Sequence, residues 1–577
     1  MMIMKLKKYF YKISWLMIAA PLLSSCSGFL EVEPLNEIVL EKFWNEESDV
    51  ENVVAGCYSS LQSQACVERM MAWGEFRSDN IVGGTNVANN QDLANIFKEN
   101  INASNGFTSW DQMYYVINTC NTVLLYAPTV AQKDPNYTES ELNATRAEVS
   151  ALRDLCYFYL IRTFRDVPYT NTPYLDNTQS GAVAATPFDA VLDSLIQDLE
   201  SVQQYAVKTY PTNEPYYQRG RITQDVIHAM LCDMYLWKQD YQSAARYADL
   251  VIDAKLLEYK NKIAKSSVSS NLQDQLLNGY PLITDQSGSS YGNAFSTIFG
   301  DGNSSESIFE LMYMNDDNML ANGAVSYYYG NATTFPGIVK PAEFISADMT
   351  LDVPQVYTSK YDTRYYENME SSGSEYGIAK YASRFAQVTT SGTTPKGTHG
   401  SFYPSAYCHA NWIIYRLTDI MLMKAEALVE MIDENDSTAT GIAQRDTLLH
   451  QAYNIVNTVN LRSNGSTNKT DIDYNLYSSK TQMANLVLQE RQRELMFEGK
   501  RWYDLVRRSR RDGNTNYLVS RVMQKGSENA SVLQSKLTRM EAIYWPYNKE
   551  EIQVNPYLVQ NPAFGSGDTN SYEGTNK

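Results

Sequence analysis

The chain has 577 residues, 44% hydrophobic and 20% charged, a globular composition that argues against wholesale disorder and a coiled-coil rod; a mean hydropathy of -0.40 argues against a polytopic membrane protein. The 66 acidic against 48 basic side chains give a net charge of -18, and an acidic surface repels phosphate backbones, so nucleic acid is not an expected partner. The 43 tyrosines dominate the aromatic content and supply flat faces that also carry a hydroxyl.

Residues 1–25 read as an export signal: Lys5, Lys7, Lys8 and Lys12 precede an apolar stretch from Ile13 to Leu23, with small residues at Ser24 and Ser25. The apolar stretch is about half the roughly 20 residues that a membrane-spanning helix needs. Leu23-Ser24-Ser25-Cys26 looks like a bacterial lipobox, which makes Cys26 the expected lipidation site; the alternative is an ordinary signal that happens to contain a cysteine. Palmitate-class acyl chains contribute about 0.8 kcal/mol per buried methylene, so such an anchor holds the chain at a membrane. Cys57, Cys66, Cys120, Cys156, Cys232 and Cys408 show no zinc or redox spacing and are expected as buried thiols; a Cys57–Cys66 bridge is the alternative in an oxidising compartment.

Beyond the signal, helical hairpins are expected over about 40–260 and 410–510. Thr186 is the cap candidate and Pro187 the first helical residue of an amphipathic helix with the stripe Phe188, Val191, Leu192, Leu195, Ile196, Leu199 and Val202. Thr223 is placed to cap the next helix, and a break at Gln239-Asp240 leads into an Ala-rich partner, a pair that resembles a tetratricopeptide hairpin. A second pair is expected over Arg416–Met431 and Leu448–Leu461. Between about 262 and 410 the helical period fails, and Gly, Ser, Asn and Thr alternate with aromatic residues including Tyr280, Tyr291, Tyr327, Tyr328 and Tyr329. So aromatic a stretch is expected to be ordered, irregular and ligand-facing. Residues 511–577 form a C-terminal tail.

The catalytic motifs are missing. His228, His399, His409 and His450 have no zinc-helix spacing, and no nucleophile elbow, phosphate loop or dinucleotide fingerprint occurs, so no metal or cofactor is expected. Asp471, Asp473 and Asn475 imitate the start of a calcium loop, but Leu476 and Gln482 replace its Gly and Glu. On a continuous helix, Arg491, Glu494, Glu498, Arg501 and Asp504 would share one face. Glu494 and Glu498 could be the acid and nucleophile of a glycosidase. The interleaved arginines would instead lower their pKa values, and a structural ion network is the better reading.

That run, Glu490-Arg491 through Glu494-Leu495, Glu498-Gly499, Arg501 and Asp504-Leu505, resembles the signature of the SusD/RagB family of Bacteroidota outer-membrane lipoproteins. Family-like segments also include Phe29-Leu30-Glu31 with Pro34, Glu75 to Asn80, Trp110, Ala147 to Phe158, Asp166-Val167-Pro168 after Arg165 in place of the usual Gly, Tyr415 to Ala427, Asn460-Leu461-Arg462, and Trp545-Pro546-Tyr547. The resemblance implies a mainly α fold, a tetratricopeptide-like helical-hairpin superhelix carrying a large irregular, loop-rich ligand-binding half. It also implies a binding protein rather than an enzyme, which captures a nutrient at the cell surface and acts as the lid of a SusC-like TonB-dependent outer-membrane transporter. A glycan or oligosaccharide is the expected cargo and peptide the alternative. A lipid-anchored glycoside hydrolase and a pure helical scaffold are competing readings. One ligand wall is expected from Glu75, Arg77, Asp79, Asn80 and Trp110, the other from Tyr280, Tyr291, Tyr327, Tyr328 and Tyr329.

Overall fold

The computed structural model describes residues 43–565, apart from 177, 212–215, 266–275, 286–289, 314–320, 352–353, 391–394 and 466–468. The export signal, Cys26 and the Phe29 to Pro34 segment lie outside the described residues. The fold is mainly helical, as the resemblance implied.

Helix α1 (Glu47–Leu61) buries the stripe Val50, Val54, Cys57 and Leu61 against α2 (Asp111–Lys133). Helix α3 (Glu139–Phe164) opens on a capping box, in which the Thr138 N–H donates to Glu141 at 2.7 Å and the Glu141 N–H to the Thr138 hydroxyl at 3.3 Å. From Ala147 to Phe164 every residue of α3 is buried, so this helix is the spine of the core. Its charged positions are paired, Glu148 with Arg221 at 2.7 Å and Arg162 with Asp233 at 3.3 Å. The spine ends at Arg165, whose φ of +71° lies in the region that favours glycine.

A short ladder of β2 (Val167–Pro168) and β3 (Ala185–Thr186) then leads into α4 (Phe188–Val202). The apolar stripe of α4 packs on α3 as its period predicts, but Thr186 does not cap it. Thr186 pairs with Val167 in the ladder, and the Phe188 N–H donates instead to the Asp166 carboxylate at 3.0 Å. Helices α5 (Gln224–Lys238) and α6 (Tyr241–Lys265) form the expected hairpin: Thr223 accepts from the Val226 N–H, and Gln239 turns the chain at φ +64°.

The middle of the chain contains short strands and helices. β1 (Ile81–Gly83) pairs with β6 (Val339–Pro341), β4 (Ser290–Tyr291) and β10 (Lys396–Phe402) flank β9 (Ser383–Thr389), β5 (Ser307–Leu311) pairs with β11 (Trp412–Arg416), and β7 (Met369–Ser372) pairs with β8 (Glu375–Ile378). All of these pairings are antiparallel. One short helix among them, α7 (Gly323–Tyr328), carries the tyrosine triplet at its end. The second hairpin is α8 (Leu417–Glu430) and α9 (Ala439–Ser463); α9 starts at its Thr438 cap, earlier than the apolar pattern suggests.

The signature run is not one helix. Helix α10 (Lys480–Leu495) stops, Phe497 and Gly499 turn the chain at φ +69° and +70°, and α11 (Arg501–Asp512) begins again. Gly499 sits so close to Gly74 that a Cβ on Gly74 would lie 1.8 Å from the Gly499 carbonyl oxygen. Glu498 therefore stands in a turn, and the single charged face expected for Arg491, Glu494, Glu498, Arg501 and Asp504 does not exist. The Cys57–Cys66 bridge is absent too: both are free buried thiols, and the Cys57 sulfur lies 3.7 Å from that of Cys120.

Candidate ligand-binding site

The charged residues expected on one ligand wall are inside the molecule. Glu75, Arg77, Asp79 and Asn80 are at most 1% exposed. Glu75 accepts the Asn80 side-chain N–H at 2.7 Å and the backbone N–H groups of Phe497 and Lys500 at 3.2 Å, so it pins the Gly499 turn. Burial pushes the Glu75 carboxyl up to about 7 in spite of these donors. Asp79 pairs with Arg501 at 2.8 Å and accepts from Gln492 at 3.1 Å. Arg77 pairs with Glu99 at 2.8 Å, donates to the Ala542 and Ile543 carbonyls, and lies 4.3 Å from the Trp502 ring centroid. Trp110 is buried at centroid distances of 5.0 to 5.4 Å from Phe164, Tyr547 and Tyr114. These five residues hold the C-terminal segments to the helical core, and the ligand wall drawn from them is corrected to a structural role.

The charges of the signature run find partners elsewhere in the chain. Glu494 pairs with Arg416 at 2.7 Å, with Arg364 at 3.1 Å and with Arg462; Glu498 pairs with Arg416 at 2.7 Å and Lys380 at 2.6 Å. Arg491 bridges Asp419 and Asp504, both at 2.9 Å. Burial by itself would raise the Glu494 carboxyl, but Arg462, Arg416 and Arg364 outweigh it and hold Glu494 well below the ordinary range. Glu498 is lowered by Arg416 and Lys380 against the same burial. Neither carboxyl can serve as a protonated acid near neutral pH, and both are sealed from solvent, which argues against the glycosidase assignment of this pair. The calcium imitation dissolves likewise: Asp473 accepts the Asn475 N–H at 3.0 Å, Asp471 accepts the Asn457 side-chain N–H at 2.7 Å, and among the described residues no group of three ligands gathers.

The tyrosines of the second wall separate. A helix turns by about 100° per residue, so three consecutive side chains cannot share a face. Tyr328 packs inward on Phe76 at a centroid distance of 5.1 Å, and the buried Tyr329 hydroxyl donates to the Phe497 carbonyl at 2.9 Å. Tyr291 is buried in β4, and Tyr280 lines a groove between helical hairpins. Tyr291, Tyr328 and Tyr329 are thus corrected to core positions. Tyr327 alone of the triplet faces out, at 45% exposure.

The segment hydrogen-bonded to α7 carries an exposed aromatic that the sequence reading missed, Tyr407, at 57% exposure. Asn322 joins the two segments. Its side-chain oxygen caps α7 by accepting from the Val325 N–H at 3.2 Å, its side-chain N–H donates to the Ala410 carbonyl at 2.9 Å, and its backbone N–H donates to the Cys408 carbonyl at 2.8 Å. The Ser326 hydroxyl reaches the Ser405 carbonyl at 3.5 Å, and the Tyr327 carbonyl accepts from Ile338 at 3.3 Å. Two open rings thus stand on pinned backbone, with His409 at a centroid distance of 6.5 Å from Tyr407. Burial and the nearby Arg384 cation lower the His409 pKa, which favours the neutral imidazole; its Nδ1 is buried, so only Nε2 can meet a ligand. Ring faces with hydroxyl and imidazole edges suit a ligand with both C–H faces and hydroxyl groups. The available signal was the placement of Tyr407 after Pro404 and Ser405, where a turn leaves a large ring without a core to enter.

The chain matches the family model described as "SusD family" over residues 262–564, and the one described as "Starch-binding associating with outer membrane" over residues 28–236. Among curated relatives, SusD-like protein P38 of Formosa agariphila is 25% identical over 570 residues, covering 95% of this chain and 98% of the relative. SusD-like protein P2 of the same organism is 24% identical, covering 86% and 90%. Among solved structures, a SusD homolog from Bacteroides thetaiotaomicron superposes with a TM-score of 0.63 at 17% identity, covering 91% of this chain and 98% of that one. A putative sugar binding protein from Bacteroides vulgatus superposes at 0.61 and 18%, covering 90% and 99%. Matched through most of its length by these family models, with the signature run at the centre of its core, the chain belongs to the SusD family.

Proposed function

We propose that this protein is an outer-membrane lipoprotein, anchored through Cys26 and displayed at the cell surface, that captures an oligosaccharide and passes it to a SusC-like TonB-dependent transporter over which it acts as a lid. It binds its cargo without cleaving it. The observation that carries the reading is the pair of open rings, Tyr327 and Tyr407, on backbone that Asn322 clamps from both sides. Sugar rings present flat C–H faces that stack on tyrosine, and little backbone ordering is lost on binding when the segments that carry the rings are already held. One matched family model is described as starch-binding and one similar solved structure as a putative sugar binding protein, and both point to the same cargo class.

Calorimetry of the lipidated protein in detergent against a panel of oligosaccharides tests the reading. Binding heat is expected for at least one glycan, with the glycan recovered intact and the heat lost in a Tyr327→Ala, Tyr407→Ala double variant. Shortened polymer, or full affinity in the double variant, would overturn it. Co-purification with a TonB-dependent barrel, and digestion by protease added to whole cells, test the partner and the orientation.

A further inference from the structure

Cys57 and Cys120 face each other across the interface of α1 and α2, sulfur to sulfur at 3.7 Å, and among the described residues they are the one thiol pair in hydrogen-bond contact. Both are fully buried, each on the apolar stripe of its helix: Cys57 with Val50, Val54 and Leu61, Cys120 with Val116 and Val123. The register of the two helices is fixed at their other end. The Glu47 N–H donates to the Asp134 carboxylate at 3.0 Å, the Lys133 ammonium donates to the Trp44 carbonyl at 2.7 Å, and the Trp44 and Tyr126 rings stack at a centroid distance of 5.2 Å. The start of α1 is thus pinned to the end of α2, and the antiparallel pair holds the two sulfurs opposite each other.

Neither thiol takes part in the ionic centre or the aromatic edge, and among the described residues no three ligands gather around them to hold a metal. Cys66 and Cys156 are buried as well, but neither sulfur reaches hydrogen-bond contact with another thiol. Bonded sulfurs stand about 2.05 Å apart, so each sulfur here has to move by only about 0.8 Å, within reach of a small χ1 rotation at each residue.

We propose that Cys57 and Cys120 are a modification site, joined in the exported protein by exchange with a disulfide donor into a bond that staples α1 to α2. The proposal rests on the export reading, because such bonds persist in oxidising compartments, and is independent of the cargo. Either thiolate can attack first. With Cys57 first, its sulfur bonds to one sulfur of the donor, the donor S–S bond breaks and a donor thiolate leaves; the Cys120 thiolate then attacks the Cys57 sulfur of the mixed disulfide and the second donor sulfur leaves. The two protein thiols give up two electrons and two protons, and the donor takes up both as two thiols. Burial pushes the Cys120 thiol well above its ordinary value, so the exchange belongs to the stage before the helices close over the pair. After closure the same burial hides the bond from reductants.

Peptide mapping by mass spectrometry tests the site on two samples: the full protein isolated from cells whose free thiols are first blocked with N-ethylmaleimide, and the same chain reduced, unfolded and refolded in a mixture of reduced and oxidised glutathione. Each is unfolded without reductant, alkylated and digested. The expected result in both is a joined pair of peptides carrying Cys57 and Cys120, lighter by two hydrogens than their sum, with Cys66, Cys156, Cys232 and Cys408 alkylated. Alkylation of Cys57 and Cys120 in both samples, or a bond from either to another cysteine, would overturn the proposal. A bond in the refolded sample with both thiols alkylated in the cellular one would overturn the exported staple and place the fault in the export reading, not in the pairing. In Cys57→Ala, Cys120 should become alkylated and no other bond should form. The bond closes a span of 63 residues, so the oxidised chain should melt about 2 to 5 °C above the same chain refolded with reductant, and equal midpoints would count against its role as a staple.

Discussion

The ionic centre around Glu494 and the aromatic edge at Tyr327 and Tyr407 use their residues in opposite ways. At the centre, three arginines and several carboxylates are removed from water and stay charged because each meets partners from distant parts of the chain. At the edge, two large rings remain in water, held by backbone hydrogen bonds that would form whatever side chain stood there. The most conspicuous run in the sequence is therefore architecture, and the surface open to a ligand is inconspicuous. A buried charge constrains many neighbours at once, whereas an exposed ring constrains almost none, so the fold tolerates substitution at the edge far better than at the centre.

The contrast can be broken most severely at the centre. Glu494→Ala leaves Arg364, Arg416 and Arg462 without their shared carboxylate, and a loss of about 5 kcal/mol is expected, comparable with the whole stability of many domains. Urea unfolding reads it, and a near-parental midpoint would show that the network is not the keystone. Trp110→Ala comes next at about 3 to 5 kcal/mol, because it opens a cavity between Phe164 and Tyr547, while glycan affinity of the folded fraction stays unchanged.

Acid sharpens the same comparison. Burial tends to lift the Asp419 and Glu426 carboxyls, but Lys500 and Arg491 hold the first at about 2, and Arg507 and Arg511 do the same for the second. Their unfolded values lie near 4, so their stabilisation is complete above pH 4 and is lost as pH falls from about 4 through 2, by about 2 to 3 kcal/mol apiece. Stability measured across that window should fall steeply in the parent and less steeply in Glu426→Gln. Single Tyr327→Ala or Tyr407→Ala changes should weaken glycan binding by about 1 kcal/mol each without moving the melting temperature. The smallest effect is expected at Arg165→Gly, a gain of about 1 kcal/mol on removing a side chain from φ +71°, offset in part by the lost contact with the Asp166 carboxylate at 2.7 Å.

Much of the helical framework could be read directly. The α4 stripe, the Thr223 cap and the break at Gln239 follow from local rules, because a helix selects its own face and ends within one or two turns. The cap of α4 was misassigned because its acceptor, Asp166, lies 22 residues away, across a two-residue ladder that no local pattern announces. The signature run misled in the same way: its 3-4-3-3 spacing is helical, yet Phe497 and Gly499 break it to bring Glu498 between Lys380 and Arg416.

The sequence by itself determined the helix faces, the hairpin breaks, the family, and the expectation of an export signal with Cys26 as its lipid site, since these depend on neighbours within a few residues or on a preserved order of motifs. Only the tertiary structure decided which of the charged and aromatic residues meet solvent. Glu75, Arg77, Asp79, Asn80, Trp110, Tyr328 and Tyr329 could each have lined a pocket by composition, and each is buried because residues distant in the chain bond to it or pack on its ring. Burial is a property of the whole packed chain, and for a polar residue it depends on partners that no stretch of sequence around it contains.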